Sequence, residues 1–164
     1  MWEKINKQSE ILFHNCLEKK LTITTAESCT GGMIASSIVS VSGSSAIFKS
    51  SVVTYSNEMK SKILNIPLKS INENGAVSKV IAYTMAYNVL DLMNSDISIA
   101  VTGIAGPDGG SKNKPVGLVH IGIGTKKNIV TKRYLFKGNR LKVRQETTLE
   151  ALKLANEIIE TFKS

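Results

Sequence analysis

The sequence predicts an α/β fold, a three-layer α/β/α sandwich around a mixed sheet, on three observations. Segments with helical spacing alternate with β-rich segments along the chain. "ISIAVTG" at 97–103 is an almost unbroken apolar run, as in a strand covered on both faces. Two further β-rich runs, 118–125 and 129–136, are parted only by Lys126, Lys127 and Asn128, which makes them a hairpin.

Each element follows in order. Trp2, Ile5, Leu12 and Cys16 recur at intervals of three, seven and four, which predicts an amphipathic helix from residue 2 to about 20, with His14 off the stripe and in solvent. "LTITT" (21–25) alternates like a strand, and "GGMIASSIVS" has the small and apolar residues of a buried helix. Ser28 therefore falls on a strand-to-helix turn. "SVVTY" (51–55) is a second strand, followed by Ser56 or Asn57 as the cap of a short helix to about Leu64. Asn74-Gly75 marks a turn, and Ser78 caps a longer helix ending near Asn94. The apolar strand 97–103 opens into the Gly-rich loop "GIAGPDGGSKNKPVG". His120 lies inside the apolar strand "LVHIGIGT" and reads as a core histidine, because no second metal ligand or nucleophile is near it in sequence. A final helix runs from about Asn139 to Phe162. With no repeat, low-complexity tract or long linker, residues 1–164 read as a single domain.

Composition narrows the function. No apolar stretch approaches the roughly 20 residues of a membrane span, and "MWEKINKQSE" lacks the apolar run of a secretory signal, so the expected location is cytoplasmic, with no membrane partner. Two cysteines and two histidines provide neither a disulfide framework nor a zinc site, so no metal is expected. The net charge of +8 suits a partner that carries phosphate, whether nucleic acid or small nucleotide. Only Arg133, Arg140 and Arg144 are arginines, however, and the lysines are scattered without an aromatic ladder. A lysine-rich solvated surface accounts for the sign, and a nucleic-acid partner is not expected.

In open α/β sheets, ligands sit beyond the carboxyl ends of strands. Three segments occupy such positions: "AESCTGG", "YSNEMK" and "VTGIAGPDGGS". At the first, a serine on a strand-to-helix turn has its oxygen exposed, and the amides of Cys29, Thr30 and Gly31 could face a developing oxyanion. Serine and threonine are equally ordinary helix caps, so the segment needs a base before it is a nucleophile. Neither histidine is well placed for that. Lys60 falls in the first turn of a helix, where the dipole and burial both favour the neutral amine, as a Ser-Lys pair requires; the alternative is a solvated surface lysine. Cys29 is the rival nucleophile, or a small buried residue. Thr102, at a strand tip, could hydrogen-bond a catalytic amine or a phosphate, and the Gly-rich loop after it could cradle an anion with its amides. Arg140 and Arg144, one helical turn apart, could clamp a phosphate or sit on a solvated face.

Taken together, "TTAESCTGG", "SVVTYSNEMKSKIL", "NGAVS", "IAVTGIAGPDGGSKNKPVG" and "FKGNRLKVR", in this order, resemble the CinA C-terminal-domain family, whose stand-alone members include nicotinamide mononucleotide amidohydrolases. The similarity runs from about Leu21 to the final helix. It implies an α/β/α sandwich, commonly a homodimer or larger homo-oligomer, that hydrolyses the carboxamide of a small nucleotide by a Ser-Lys mechanism without a cofactor. A catalytically silent nucleotide-binding module is the alternative. Carried over by motif, Ser28 would be the nucleophile, Lys60 the general base and Thr102 the residue assisting the lysine. Substrate would be bound by Glu27, Cys29, Thr30, Gly31, Tyr55, Asn57, Gly103 and Gly106, with Arg140 or Arg144 on the phosphate. Three departures stand out: Ser50-Ser51 replaces the usual Gly-Gly pair, Asn139 the usual Asp of "GDR", and Asn113 a usual acidic residue before "KPVG". The nucleotide-pyrophosphatase domain of full-length CinA proteins has no counterpart in these residues, so that activity is not expected of them.

Overall fold

The structure, a computed structural model, describes residues 1–161. Its elements are α1 (Trp2–Glu18), β1 (Ile23–Glu27), α2 (Met33–Val39), β2 (Phe48–Val53), α3 (Asn57–Leu64), α4 (Leu68–Asn74), α5 (Lys79–Leu92), β3 (Ile97–Gly103), β4 (Leu118–Thr125), β5 (Ile129–Leu135) and α6 (Arg140–Glu160). Strands pair in the order β2-β1-β3-β4-β5. The first three are parallel and the last two antiparallel, so the sheet is mixed. The predicted end of the last helix at Phe162 lies outside the described residues.

Alternation along the strands sorts the side chains into two cores. Ile23, Ile97, Ile99, Val101, Val119, Ile121 and Ile123 meet α1, α2 and α6 on one face. Ala26 and Ala100 meet α3, α4 and α5 on the other, with Leu64, Ile71, Ile81 and Met85. The small residues on this second face set the distance to α5. A Cβ on Gly122 would come 2.7 Å from the Ala82 carbonyl oxygen, so only glycine lets the helix backbone rest on the strand. Both faces are covered, as the apolar run of β3 required, and the sandwich is the predicted one. No helix among the described residues is long and apolar enough to cross a membrane.

Element boundaries shifted where side chains outbid the pattern. β1 starts two residues later than expected: the Leu21 amide closes α1 on the Cys16 carbonyl, and Thr22 donates through its amide and hydroxyl to the Asp96 carboxylate at 2.9 and 2.8 Å. β2 starts earlier and ends at Val53, because Thr54 and Tyr55 turn towards α3. Trp2 is 48% exposed and not on the buried stripe of α1, where Ser9 fills the gap between Ile5 and Leu12. The helix α4 was missed between two recognised ones; Pro67 at its start and the Leu68/Ile71 spacing were its only signals. The caps at Ser56, Ser78 and Asn139 each accept a backbone N–H of their helix's first turn, from Met59, Ile81 and Lys142.

Candidate active site

The chain leaves β1 for α2 on one face of the sheet and leaves the neighbouring β2 for α3 on the other. Loops that part in this way open a crevice at the carboxyl ends of the two strands, the usual ligand site of an open α/β sheet. Ser28 follows β1 directly at that end of the sheet, and Lys60 reaches it from α3.

Ser28 and Lys60 meet there. Lys60 Nζ donates to Ser28 Oγ at 3.0 Å and to the Thr54 carbonyl at 2.9 Å. The lysine is 2% exposed and the serine 7%. Among the described residues no carboxylate pairs with Lys60. Burial therefore holds its pKa below the ordinary lysine value. A neutral amine still gives one N–H to Thr54 and turns its lone pair to the Ser28 hydroxyl, the polarity a general base needs. The solvated surface lysine does not describe this residue. Nothing in the sequence marks Thr54, which acts through its main chain.

Cys29, one residue on, faces the other way. It joins the core formed with Val101 and Val119, and a Cβ on Gly103 would come within 3.1 Å of its Sγ. Burial, with a smaller contribution from the Glu27 carboxylate and against the opposing pull of its own amide, pushes its thiol up to about 12, so a thiolate is disfavoured. Glu27 is fully buried, and its carboxylate accepts from the amides of Gly32, Ile34 and Ala35 at 2.8–3.1 Å. Expected to touch substrate, it instead caps α2 through the amides that helix leaves unpaired. The Gly31 amide donates to the Ser28 carbonyl, which removes it from the expected set of oxyanion donors. The amides of Cys29 and Thr30 have no backbone carbonyl partner among the described residues. Thr30 Oγ1 is buried without a partner.

Thr102, expected to assist the lysine, spends its hydroxyl on the Ala76 carbonyl at 2.8 Å. The two arginines part company as well. Arg140 bonds the Gly106 carbonyl at 2.9 Å and the Tyr55 hydroxyl at 2.7 Å, while Arg144 bonds the Thr30 carbonyl at 2.7 Å. Between them they tie α6 to all three predicted segments, which do converge. Asn57 is exposed in the first turn of α3. The Gly-rich loop closes on itself: the amides of Ile104, Ser111 and Gly117 go to the carbonyls of Leu118, Lys114 and Ile104, and are not free to cradle an anion.

The departures from the family pattern have local accounts. Ser50 and Ser51 stand opposite Thr24 and Thr25 in register. Thr24 Oγ1 lies 3.0 Å from Ser50 Oγ, and Thr25 Oγ1 donates to Ser51 Oγ at 2.6 Å, so hydroxyl pairs occupy the space two glycines would leave. Asn139 caps α6 as an Asp would, and Asn113 is exposed. Among the described residues no group of three or more His, Cys, Asp or Glu could hold a metal ion.

A mixed-sheet sandwich with a buried lysine on a serine at the crevice between β1 and β2 defines an α/β domain of a particular kind. The model of the CinA C-terminal domain matches residues 5–159, and the chain belongs to that family. Among relatives, it is 46% identical over 145 residues to a putative competence-damage inducible protein of Caldicellulosiruptor bescii, covering 88% of this chain and 35% of the relative. It is 51% identical over 138 residues to a CinA-like protein of Endomicrobium trichonymphae, covering 84% and 32%. The chain thus spans about a third of the length of the curated relatives it matches. Among solved structures, the competence/damage inducible protein CihA of Agrobacterium tumefaciens superposes with a TM-score of 0.93 at 34% identity, over 96% of each chain. The competence damage-inducible protein A of Klebsiella pneumoniae superposes with a TM-score of 0.94 at 30% identity, over 97% of this chain and 99% of that one.

Proposed function

We propose that the protein is an amidohydrolase that converts nicotinamide mononucleotide to nicotinate mononucleotide and ammonia, with Ser28 as nucleophile and Lys60 as base. The observation that carries this reading is the 3.0 Å contact between Lys60 Nζ and Ser28 Oγ, where burial lowers the lysine's pKa. Neutral Lys60 takes the Ser28 proton as the oxygen attacks the carboxamide carbon. The amides of Cys29 and Thr30 are the donors left to meet the oxyanion. Protonated Lys60 then gives its proton to the departing nitrogen, and ammonia leaves an acyl-serine. Water, deprotonated by Lys60, attacks that ester, and the returning proton restores the Ser28 hydroxyl. Tyr55 and Arg140, bonded to each other at the mouth, are the groups assigned to the nucleotide, with the Arg140 guanidinium on its phosphate. The resemblance to stand-alone amidohydrolases supplies the substrate, and the homo-oligomer and cytoplasmic location belong to the same proposal.

The test is ammonia release from nicotinamide mononucleotide by the wild type, Ser28→Ala and Cys29→Ala. Release by the wild type and the cysteine variant alone supports the assignment. Release by Ser28→Ala refutes it, and tight binding without release by the wild type replaces it with the silent nucleotide-binding module.

A further inference from the structure

The proposed catalytic crevice uses the parallel half of the sheet. On the same face, the antiparallel half carries a second group of bases. His120 on β4 stands opposite Thr102 on β3 and Arg133 on β5. Two residues along β4, Gly122 meets the backbone of α5, so His120 points to the α5 side too. There Lys79, His120, Thr131, Lys132 and Arg133 line a cavity of about 300 Å³, at the lower end of the range for small-molecule sites.

No carboxylate lines these walls. Lys132 is drawn off to Glu157 at 3.3 Å, but Lys79 and Arg133 make no ion pair among the described residues. His120 is 9% exposed and no hydrogen bond joins its ring to a described residue. Among these cations, protonating the imidazole is opposed by desolvation and by like-charge repulsion. An oxyanion in the cavity would reverse both effects. We propose that this cavity binds a phosphate group, free or as a phosphate monoester, held by Lys79 and Arg133 from the rim and by an N–H of His120 from the floor.

The geometry suits that ligand. Arg133 offers a planar fork of donors for two phosphate oxygens and Lys79 a mobile point charge. The site is separate from Arg140 and Arg144, which rise from α6 and bond Tyr55, Gly106 and Thr30. β4 lies two strand spacings from β1, roughly 10 Å from the Ser28 end of the crevice. The charged groups around His120 are Arg133 on β5, Lys79 on α5 and Lys114 on the preceding loop, with uncharged Thr102 opposite on β3. Burial first, then Arg133 and Lys114, hold its pKa below the ordinary histidine value. Bound anion must therefore raise that pKa, and affinity must grow as pH falls.

The two histidines make the test site-specific, because His14 lies exposed on α1. Histidine NMR signals are followed while inorganic phosphate, or separately methyl phosphate, replaces chloride at fixed ionic strength. The expected result is a saturable shift of His120 with a rise in its pKa, and no such change at His14. Arg133→Gln, an exposed and conservative change, should weaken the response about tenfold, as loss of one charge-assisted contact does. Arg140→Gln should leave it intact. Tighter binding of methyl phosphate assigns the site to esters, and equal or tighter binding of inorganic phosphate to the free ion. A His120 response that never saturates, that matches His14, or that survives Arg133→Gln overturns the proposal. So does a response to a single-stranded oligonucleotide with none to either small anion.

Discussion

Lys60 and His120 are buried bases on the same face of one sheet. Neither pairs with a carboxylate among the described residues, and both are held below their ordinary pKa, with burial as the leading cause. Their surroundings separate them. Lys60 closes against a hydroxyl and a carbonyl, so burial disfavours its charge and favours the amine with a lone pair. His120 opens on a cavity lined by Lys79 and Arg133, where burial first and cationic neighbours second disfavour its proton, and where the proposed anion would supply the missing sign. On the two proposals above, a base without a counterion would be made reactive by enclosure and receptive by neighbours that keep their charge.

The largest effect expected from breaking this comparison is on Lys60. Lys60→Met keeps the length of the side chain and removes the amine, so turnover of nicotinamide mononucleotide should fall about 10⁴-fold or more, as when a unit of nucleophile and base is broken. Stability should move the other way. The Thr54 carbonyl and Ser28 hydroxyl each lose a hydrogen bond worth about 1 kcal/mol, but burying an amine that would carry a charge in water, with no carboxylate among the described residues to pair it, costs several. A net gain of about 1 kcal/mol in urea unfolding is the expected outcome. A loss above about 2 kcal/mol would make the lysine a structural pillar and refute the view that its burial is a cost carried for function.

The second effect is on the pH dependence of stability. Between the depressed folded pKa of Lys60 and 10.5, the unfolded chain binds a proton that the folded chain does not, so stability should climb with rising pH through that window. Lys60→Met should flatten the climb. His120 has the same sign in a lower window, from its depressed value up to 6.5, and stability should be lost there as pH falls. Phosphate should shrink the acid-side loss, by raising the folded pKa of His120, and leave the alkaline climb untouched. Unfolding curves across pH with and without phosphate separate the two bases.

These two sites were unequally legible in the sequence. The sandwich could be read because β3 is an almost unbroken apolar run and α3, α5 and α6 are capped by serine or asparagine. Ser28, Lys60 and the convergence of their loops were reachable because dipole, desolvation and motif agreed on one lysine. Thr54 was not, since it contributes a carbonyl that every residue has. The partners of Glu27 and Thr102 were hidden for a related reason: a carboxylate and a hydroxyl near a candidate nucleophile look like ligands, while the groups they bond here are backbone amides and a carbonyl brought near only by folding. His120 showed as a core histidine because its cationic neighbours come from β5, α5 and a loop, 13, 41 and 6 residues away in sequence.

A smaller effect sharpens the contrast between Ser28 and its neighbour. Cys29→Ala removes a sulfur packed beneath Gly103 and should cost about 1 kcal/mol of stability, the usual scale for a small core truncation. Turnover per folded molecule should stay within a few-fold of the wild type, because the backbone amide of residue 29 is kept. Loss of turnover with binding and fold intact would return the sulfur to the mechanism.

The smallest effect concerns α6, the element that serves the crevice without holding its base. Asn139 accepts the Lys142 amide, and this cap fixes the first turn from which Arg140 reaches Gly106 and Tyr55. Asn139→Ala should cost about 1 kcal/mol. Asn139→Asp retains the acceptor and adds a negative charge at the positive end of the helix, a gain of about 0.5 kcal/mol. If the cap positions Arg140, Asn139→Ala should raise KM for the nucleotide with little change in kcat, and Asn139→Asp should restore it. The His120 phosphate response should be the same in both, since nothing on α6 lines that cavity. A change there would mean that the two sites share a binding element, and the division between the parallel and antiparallel halves would fail.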